Sequence, residues 1–403
     1  MRTSVAIAAM AAVLAWAGSA AAQGKTVKIG SLSDQSSLYA DIGGPGSTVA
    51  AQMVVEDSGM AAKGWKVDVI SADHQNKPDV GVSIARQWFD VDKVDVIVDV
   101  PNSGVALAVS NVVKEKNKVF LNSGAGTSDL TGKACTPNTI HWTYDTYALA
   151  NGTGTALTKT GGDTWFFLTA DYAFGAALER DTTNAVTKAG GKVLGTVRHP
   201  LNSPDFSSFL LQAQNSKAKV IGLANAGGDT TNSVKQAAEF GITQSGQTLA
   251  ALLLFISDVH ALGLNAAQGL TFTETFYWDM NDQTRAFSKK FASKMKNGAM
   301  PTMVQAGVYS AVLHYLKAVD ALGSAEDGAK VVAKMKEMPT DDPIFGKGSI
   351  REDGRKIHPA YLFQVKKPSE SKGPWDYYIT KATIPADQAF RPLSESECPL
   401  VKK

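Results

Sequence analysis

Two short loops rich in small polar residues are the part of this sequence best suited to binding chemistry. The first covers residues 101–104 (PNSG), and the second covers residues 122–127 (NSGAGT). Glycine lets a backbone approach a ligand closely, and serine, threonine and main-chain N–H groups are donors for an anion. We therefore infer that these loops hold a small anionic solute. Ordinary turns between strands and helices are the alternative.

The flanking sequence predicts the elements that position these loops. Residues 94–100 and 119–121 are apolar runs rich in valine, and residues 104–116 carry apolar side chains at helical spacing. Valine-rich strands that alternate with helices predict a parallel sheet covered on both faces. Ligands of such sheets bind beyond the carboxyl ends of the strands, and both loops fall at these ends.

The bulk composition excludes several classes of protein. The chain has 403 residues, of which 44% are hydrophobic, so it is long enough for two domains with sizeable cores. Its formal net charge is +2, and no stretch concentrates lysine or arginine. A nucleic-acid partner is therefore not expected.

The amino terminus has the pattern of an export signal. A basic start, Met1-Arg2, precedes a continuous apolar segment over residues 5–16, and three alanines ending at Ala22 precede Gln23. This pattern predicts a signal peptide over residues 1–22, cleavage near Ala22 and an exported, soluble mature chain. An uncleaved anchor is the alternative, but a segment of about twelve residues is too short to span a bilayer.

The chain contains two cysteines, Cys135 and Cys398. In an oxidising compartment a single pair can form one disulfide bond, which would pin the carboxyl terminus onto the first half of the chain. Two unpaired, buried thiols are the alternative.

Two series of alternating strands and helices follow one another along the chain, and the second begins near residue 146. They predict an α/β fold with two lobes, each a doubly wound parallel sheet. Three long helical patterns follow without clear strands between them, at residues 283–296, 302–322 and 326–337. If the first lobe needs these helices, the chain crosses between the lobes more than once, which would form a multi-strand hinge. The predicted boundaries are 23–143 with 280–358 for lobe 1, and 144–279 with 359–403 for lobe 2.

The sequence lacks the patterns that would indicate an enzyme. It has no nucleotide-binding glycine motif, no Gly-x-Ser-x-Gly and no His-x-x-x-His pair, and its six histidines are scattered. We therefore predict a binding protein with no catalytic residues, no metal and no cofactor. An exported hydrolase is the least favoured reading.

The order of several segments resembles the periplasmic solute-binding proteins of ABC importers, in particular the branched-chain amino acid type. The segments are IGSLSDQSSLYADIGGPGSTVAAQMVVEDSG, VDVIVDVPNSG, GAGTSDLT, TADYAFGAALERD and VIGLANAGGDTTNSVKQAAEFG. The resemblance covers nearly all of the mature chain. It implies a type I periplasmic-binding fold that traps its ligand between two lobes closing like a clamshell.

The resemblance also implies which residues contact the ligand. In the first lobe, Tyr39 corresponds to an aromatic side chain over the ligand, and Ser103 with Asn102 to the hydroxyl that receives a carboxylate. The Ala125 backbone and Thr127 correspond to further carboxylate donors. In the second lobe the implied contacts are Tyr172, Phe174, Asn225, Ala226 and Gly227. For the three aromatic residues, packing is an equally good interpretation.

One departure from the family pattern bears on the ligand. Amino-acid binders of this family place a carboxylate after the strand that aligns with residues 249–256, where it meets the ligand ammonium. The matching positions here, residues 252–255, are apolar, and Asp258 lies a few residues late and could be a helix cap. An ammonium buried without a counter-charge would be costly. We therefore expect a carboxylate without an α-amino group, such as an aromatic or hydrophobic acid, although an amino acid remains the alternative.

The resemblance implies a partner as well as a ligand. The chain is expected to be a periplasmic monomer that delivers its ligand to an ABC permease in the inner membrane. A ligand-sensing protein that signals through a membrane receptor would use the same fold and is the alternative.

Overall fold

The computed structural model describes residues 25–402. The predicted signal peptide and its cleavage site before Gln23 lie outside the described residues. Within the described part of the chain, no helix is both long and apolar enough to cross a membrane.

The first sheet is parallel throughout, with the strand order β2-β1-β3-β4-β5. Its strands are β1 (Lys25–Ser33), β2 (Trp65–Asp73), β3 (Val96–Asp99), β4 (Val119–Asn122) and β5 (Thr139–His141). Strand β1 pairs with both β2 and β3, so the direction of winding reverses between β1 and β3. Ligands bind at such a reversal, beyond the carboxyl ends of the strands.

Helices cover both faces of this sheet. The first three are α1 (Gly44–Asp57), α2 (Pro78–Asp90) and α3 (Ser103–Glu115). Successive residues of β3 point to opposite faces, because Val96 and Val98 pack in the cluster that contains residues of α1, whereas Ile97 packs with residues of α2 and α3. Burial on both faces explains why the strand is a continuous apolar run.

The second sheet is also parallel, with the order β7-β6-β8-β9. Its strands are β6 (Thr164–Ala170), β7 (Lys192–His199), β8 (Val220–Ala224) and β9 (Thr248–Ala251). A π-helical turn, Ala150–Gly154, joins the first two helices of this part. The helices are α4 (Thr146–Leu149), α5 (Thr155–Lys159), α6 (Ala173–Lys188), α7 (Ser207–Asn215), α8 (Gly228–Glu239), α9 (Ile256–Leu262) and α10 (Leu264–Ala267).

The last third of the chain contributes to both halves of the molecule. Its elements are β10 (Thr271–Glu274), α11 (Asp282–Lys294), α12 (Met303–Leu322), α13 (Gly328–Glu337), β11 (Thr340–Asp342), β12 (Gly346–Ile350), β13 (Lys356–Ile357), β14 (Ala360–Val365), β15 (Tyr378–Ile384) and α14 (Ala386–Ala389). Helix α12 packs against α1, β3 and β4, so it belongs with the first sheet. Strands β10, β14 and β15 form an antiparallel sheet beside β9, and β11, β12 and β13 form another.

The chain therefore returns to the first sheet after completing the second, and then leaves it again. Arg355 directly precedes β13, bridges to His141 of β5 and is fully buried. It donates to the carbonyl oxygens of Thr143 and Tyr144 and pairs with Asp145 at 3.4 Å. His358 lies 3.0 Å from the Trp142 carbonyl oxygen through Nε2. These contacts tie the crossing segments into the predicted multi-strand hinge.

The two parallel sheets confirm the predicted α/β fold of two doubly wound lobes, and the three late helices lie close to their predicted ranges. The residue boundaries assigned to the lobes stay a prediction. The expected strand over residues 249–256 is wrong in its second half, because β9 ends at Ala251 and α9 begins at Ile256. The apolar run continues past the strand because Leu252, Leu254 and Phe255 are buried outside the sheet.

A disulfide bond joins Cys135 to Cys398, whose Cα atoms are 5.6 Å apart. The prediction of a bond that pins the carboxyl terminus to the first half of the chain is confirmed.

Candidate functional site

The loops at the carboxyl ends of the two sheets face each other across a central cavity of about 10 Å³. The first half supplies the loops after β1, β3, β4 and β5, and the second supplies the segments after β6, β8 and β9. The cavity is lined by Tyr39, Ile42, Pro101, Gly124, Tyr144, Tyr172, Phe174, Ala226 and Leu253. Its wall is aromatic and aliphatic, and no carboxylate, lysine or arginine of the described residues lines it.

Four of the ten residues predicted to contact a ligand meet at this cavity: Tyr39, Tyr172, Phe174 and Ala226. The phenol oxygens of Tyr39 and Tyr172 come from opposite lobes and lie within hydrogen-bond distance. Burial raises the pKa of both phenols above the usual value, so both are neutral donors and acceptors. The ring of Phe174 lies 6.1 Å from that of Tyr172, measured between centroids.

Ser103 and Thr127 belong to the chain segments of the first sheet that supply Pro101 and Gly124 to this cavity, although neither residue lines it. Ser103 Oγ accepts from the Thr127 N–H at 3.2 Å, and Thr127 Oγ1 accepts from the Asp129 N–H at 3.3 Å. Both residues are fully buried. Within residues 25–402 neither hydroxyl has a hydrogen-bond acceptor, so each keeps one proton to donate to an anion.

Other predicted contacts are engaged in local structure. Asn102 Oδ1 caps helix α3 by accepting from the N–H groups of Gly104 and Val105 at 2.9 and 3.1 Å. The Ala125 N–H donates to Asn122 Oδ1 at 2.9 Å, so it would have to exchange this partner to reach a ligand. Asn225 Oδ1 accepts from the Thr230 hydroxyl. Ligand contact by these residues stays a prediction.

Gly227, the last of the predicted contacts, packs against the loop after β1. Its φ is +58°, and a Cβ at this position would lie 2.6 Å from the Leu38 carbonyl oxygen. Glycine is therefore required for the two lobes to come this close.

Five cavity residues were not predicted: Ile42, Pro101, Gly124, Tyr144 and Leu253. Pro101 and Gly124 lie inside the two polar loops, so their position after a strand could have indicated them. Leu253 belongs to the apolar run that replaces the expected carboxylate. Tyr144 donates to the Gly124 carbonyl oxygen at 2.5 Å and follows β5, and no spacing in the sequence marks it.

The turn that carries Pro101 into the cavity is strained. Asp99 and Val100 have φ values of +76° and +57°, and a β-branched residue rarely adopts a positive φ. Asp99 is fully buried and accepts from Ser33 Oγ at 2.8 Å, and burial raises the pKa of its carboxyl to about 6. Strained backbone of this kind concentrates at binding sites, where the surrounding structure holds it.

A polar network joins the loop after β4 to helix α6 of the second half. Arg180 of helix α6 donates to Asp129 Oδ1 and to Ser128 Oγ, both at 2.9 Å. The neighbouring Asp181 accepts from the hydroxyls of Ser128 and Thr146 at 2.7 and 2.6 Å. These bonds hold the loop after β4 against the second half of the molecule.

A larger chamber of about 500 Å³ is lined in part by the loop after β1 and shares Ile42 with the central cavity. Its wall includes Asp41 from the first half, and Gly227 and Asp258 from the second. Asp258 accepts from the Phe255 N–H at 2.9 Å and is 4% exposed. Burial, with a smaller contribution from Asp41, raises the pKa of the Asp258 carboxyl to about 7.

A sequence profile described as periplasmic binding protein matches residues 26–373 of this chain. The chain therefore belongs to the periplasmic binding protein family, whose members bind solutes and are not enzymes. Members of this family are located in the periplasm and work with ABC transporters.

Solved structures and curated relatives show which type of periplasmic binding protein this chain is similar to. A periplasmic binding protein from Burkholderia mallei is 54% identical, has a TM-score of 0.90 and is matched over 94% of this chain and 100% of its own. A branched chain amino acid ABC transporter periplasmic ligand-binding protein from Burkholderia xenovorans LB400 is 43% identical, with a TM-score of 0.83 over 93% and 100% of the two chains. The Leu/Ile/Val-binding protein homolog 6 of Brucella melitensis is 28% identical over 66% of this chain and 68% of its own. The chain is thus similar to the branched-chain amino acid type.

A more distant solved structure shares the fold alone. The R. palustris ABC transporter solute-binding protein crystallised with benzoate is 21% identical, with a TM-score of 0.79 over 90% of this chain and 97% of that one.

Proposed function

We propose that this protein is the periplasmic substrate-binding component of an ABC importer and captures a small aromatic or hydrophobic carboxylate that lacks an α-amino group. The observation that carries this proposal is the wall of the central cavity, which is aromatic and aliphatic and contains Leu253. Aromatic and aliphatic walls with a few placed polar groups are typical of sites for small organic ligands.

The anionic end of the ligand has candidate partners. The Ser103 and Thr127 hydroxyls each keep a proton to donate, and hydrogen bonds to a charged acceptor are the stronger kind. An ammonium group would find no carboxylate on the cavity wall, and burying it unpaired would oppose binding. The benzoate complex of the distant R. palustris protein is compatible with this choice of ligand.

The lobes must move for such a ligand to enter. The cavity of about 10 Å³ is far smaller than the roughly 150 Å³ that holds a benzene molecule in a protein interior. Hinge motion about the crossing segments near Arg355 would separate Tyr39 from Tyr172 and admit the ligand. We propose that the protein acts as a monomer, because each chain contains both lobes, and that it hands the ligand to its permease.

The test is a binding screen by thermal shift and calorimetry with matched ligands. Benzoate, benzamide and benzyl alcohol differ in charge at nearly constant shape, and leucine and phenylalanine add the α-amino group. Ligands that bind only the folded state raise the melting temperature. We expect benzoate to bind at least about tenfold more tightly than its neutral analogues, which corresponds to about 1.4 kcal/mol. Tight binding of leucine together with no response to benzoate would contradict the proposal.

The predicted export can be checked separately. The intact mass of the protein recovered from the periplasm should correspond to a chain that begins at Gln23. A mass that includes residues 1–22 would show that the signal is retained.

A further inference from the structure

Asp34 is a fully buried carboxylate in the loop between β1 and α1, the loop that carries Tyr39. Its Oδ1 accepts from the Ser37 N–H at 3.0 Å, and its Oδ2 accepts from the Tyr39 N–H at 2.8 Å. The Ser37 hydroxyl lies 2.9 Å from both oxygens. The carboxylate therefore closes the loop on itself immediately before the tyrosine ring.

A second loop is tied to the same carboxylate. Asn76, in the turn after β2, donates through Nδ2 to Asp34 Oδ2 at 2.6 Å. Gln75 and Asn76 have φ values of +53° and +56°, so this turn adopts an uncommon backbone conformation that points Asn76 at Asp34. Among the described residues, no lysine, arginine or histidine forms an ion pair with Asp34, so hydrogen bonds alone stabilise the buried carboxylate.

We propose that Asp34 is a positioning residue for ligand recognition, which fixes the Tyr39 ring at the cavity and its phenol against Tyr172. This inference rests on the proposed function, because it takes Tyr39 to contact the ligand. The path is continuous: Asn76 holds Asp34, Asp34 holds the Tyr39 N–H, and the Tyr39 phenol meets the Tyr172 phenol of the other lobe. Asp34 itself does not line the cavity.

The informative substitution is Asp34→Asn, which preserves shape. Whichever way the new amide is oriented, its NH₂ group faces either the Ser37 N–H or the Tyr39 N–H, so one buried donor loses its acceptor. Ser36→Ala is the matched control, because Ser36 Oγ, in the same loop, bonds to Asp73 and not to Asp34. We expect Asp34→Asn to weaken benzoate binding by at least about tenfold and Ser36→Ala by less than about twofold.

A double-mutant cycle separates positioning from a general loss of stability. If Asp34 acts through Tyr39, Asp34→Asn should change affinity less than about twofold when Tyr39→Ala is already present. A full tenfold effect in that background, or no effect of Asp34→Asn alone, would overturn the inference. An unchanged affinity of Tyr39→Ala, or no binding of benzoate, would instead count against the proposed function.

If benzoate does not bind, or if Tyr39→Ala leaves its affinity unchanged, a measurement without ligand still tests whether Asp34 holds the loop that carries Tyr39. Amide hydrogen exchange should accelerate in peptides covering residues 34–42 of the Asp34→Asn protein, while β1 and α1 keep their protection. Unchanged exchange over residues 34–42 would show that Asp34 does not hold this loop.

Discussion

The phenol oxygens of Tyr39 and Tyr172 lie 2.6 Å apart and come from opposite lobes. Their contact is a direct hydrogen bond between the two lobes at the central cavity, and separation of the lobes would break it. An intramolecular hydrogen bond of this kind contributes about 0.5–1.5 kcal/mol net.

We therefore predict that Tyr172→Phe lowers the affinity for benzoate by about fivefold, because closure loses this bond while the aromatic surface remains. Tyr39→Phe should have the same effect, and the double variant should lose no more than either single variant, since one bond serves both residues. Calorimetry measures the affinities. Additive losses in the double variant would mean that the two hydroxyls act separately.

Leu253 is the residue that we expect to exclude an ammonium group. Leu253→Glu should abolish benzoate binding, with a loss of at least about 100-fold, because the new carboxylate would be buried beside the ligand anion. Leu253→Gln introduces polarity without charge and so separates the two effects. Leu253→Met preserves volume and should weaken the free energy of benzoate binding by less than about 1.5 kcal/mol. Equal losses for the Glu and Gln variants would show that charge at this position does not decide selectivity.

Affinity should depend on pH through Asp258. The pKa of its carboxyl is raised to about 7 by burial in the closed protein, with Asp41 facing it across the chamber and Glu274 as a second acidic neighbour. Opening would hydrate the group and return its pKa toward the ordinary value of about 3.9. The closed form then binds the proton more tightly, so affinity falls as pH rises towards 7, by up to about tenfold per unit, and is level above 7.

The measurement is benzoate affinity by calorimetry between pH 5.5 and 8, where benzoate stays ionised. Asp258→Asn keeps an acceptor for the Phe255 N–H and removes the titration, so its affinity should fall less between pH 6 and 7. Asp99 and Asp229, each with a pKa raised to about 6 by burial, would add a slope in the same direction mainly below pH 6 if opening also hydrates them. Identical profiles for the two proteins would contradict the assignment to Asp258.

The disulfide between Cys135 and Cys398 should stabilise the folded chain. Replacing both cysteines by serine is expected to lower the free energy of unfolding by about 2–5 kcal/mol, because the bond closes a long loop in the unfolded chain. Denaturant unfolding of the variant and of the oxidised wild type, both without reductant, measures the change. A wild-type protein that unfolds at the same denaturant concentration with and without reductant would contradict the prediction.

Valine-rich β3 and the polar loop after it could be predicted from sequence, because a fully buried parallel strand leaves a clear apolar run. The same reasoning misassigned residues 252–255, since burial in the core beyond the end of a strand produces the same apolar run as burial in a sheet.

Within the site, the sequence indicated which loops meet but not which donors are already used. Asn102 caps α3, and Asn122 occupies the Ala125 N–H, and both bonds depend on local backbone geometry. Tyr144 lines the cavity because segments distant in the sequence converge there, a relation that no local pattern records.

The carboxyl tail has a mechanical consequence. Strand β15 is paired within the sheet beside the second lobe, yet the tail that follows it is covalently bound through Cys398 to the segment after β4 of the first lobe. If the lobes separate to admit a ligand, the tail between β15 and Cys398 would link them, and its length would limit the width of the opening. Reduction of the disulfide would remove that limit.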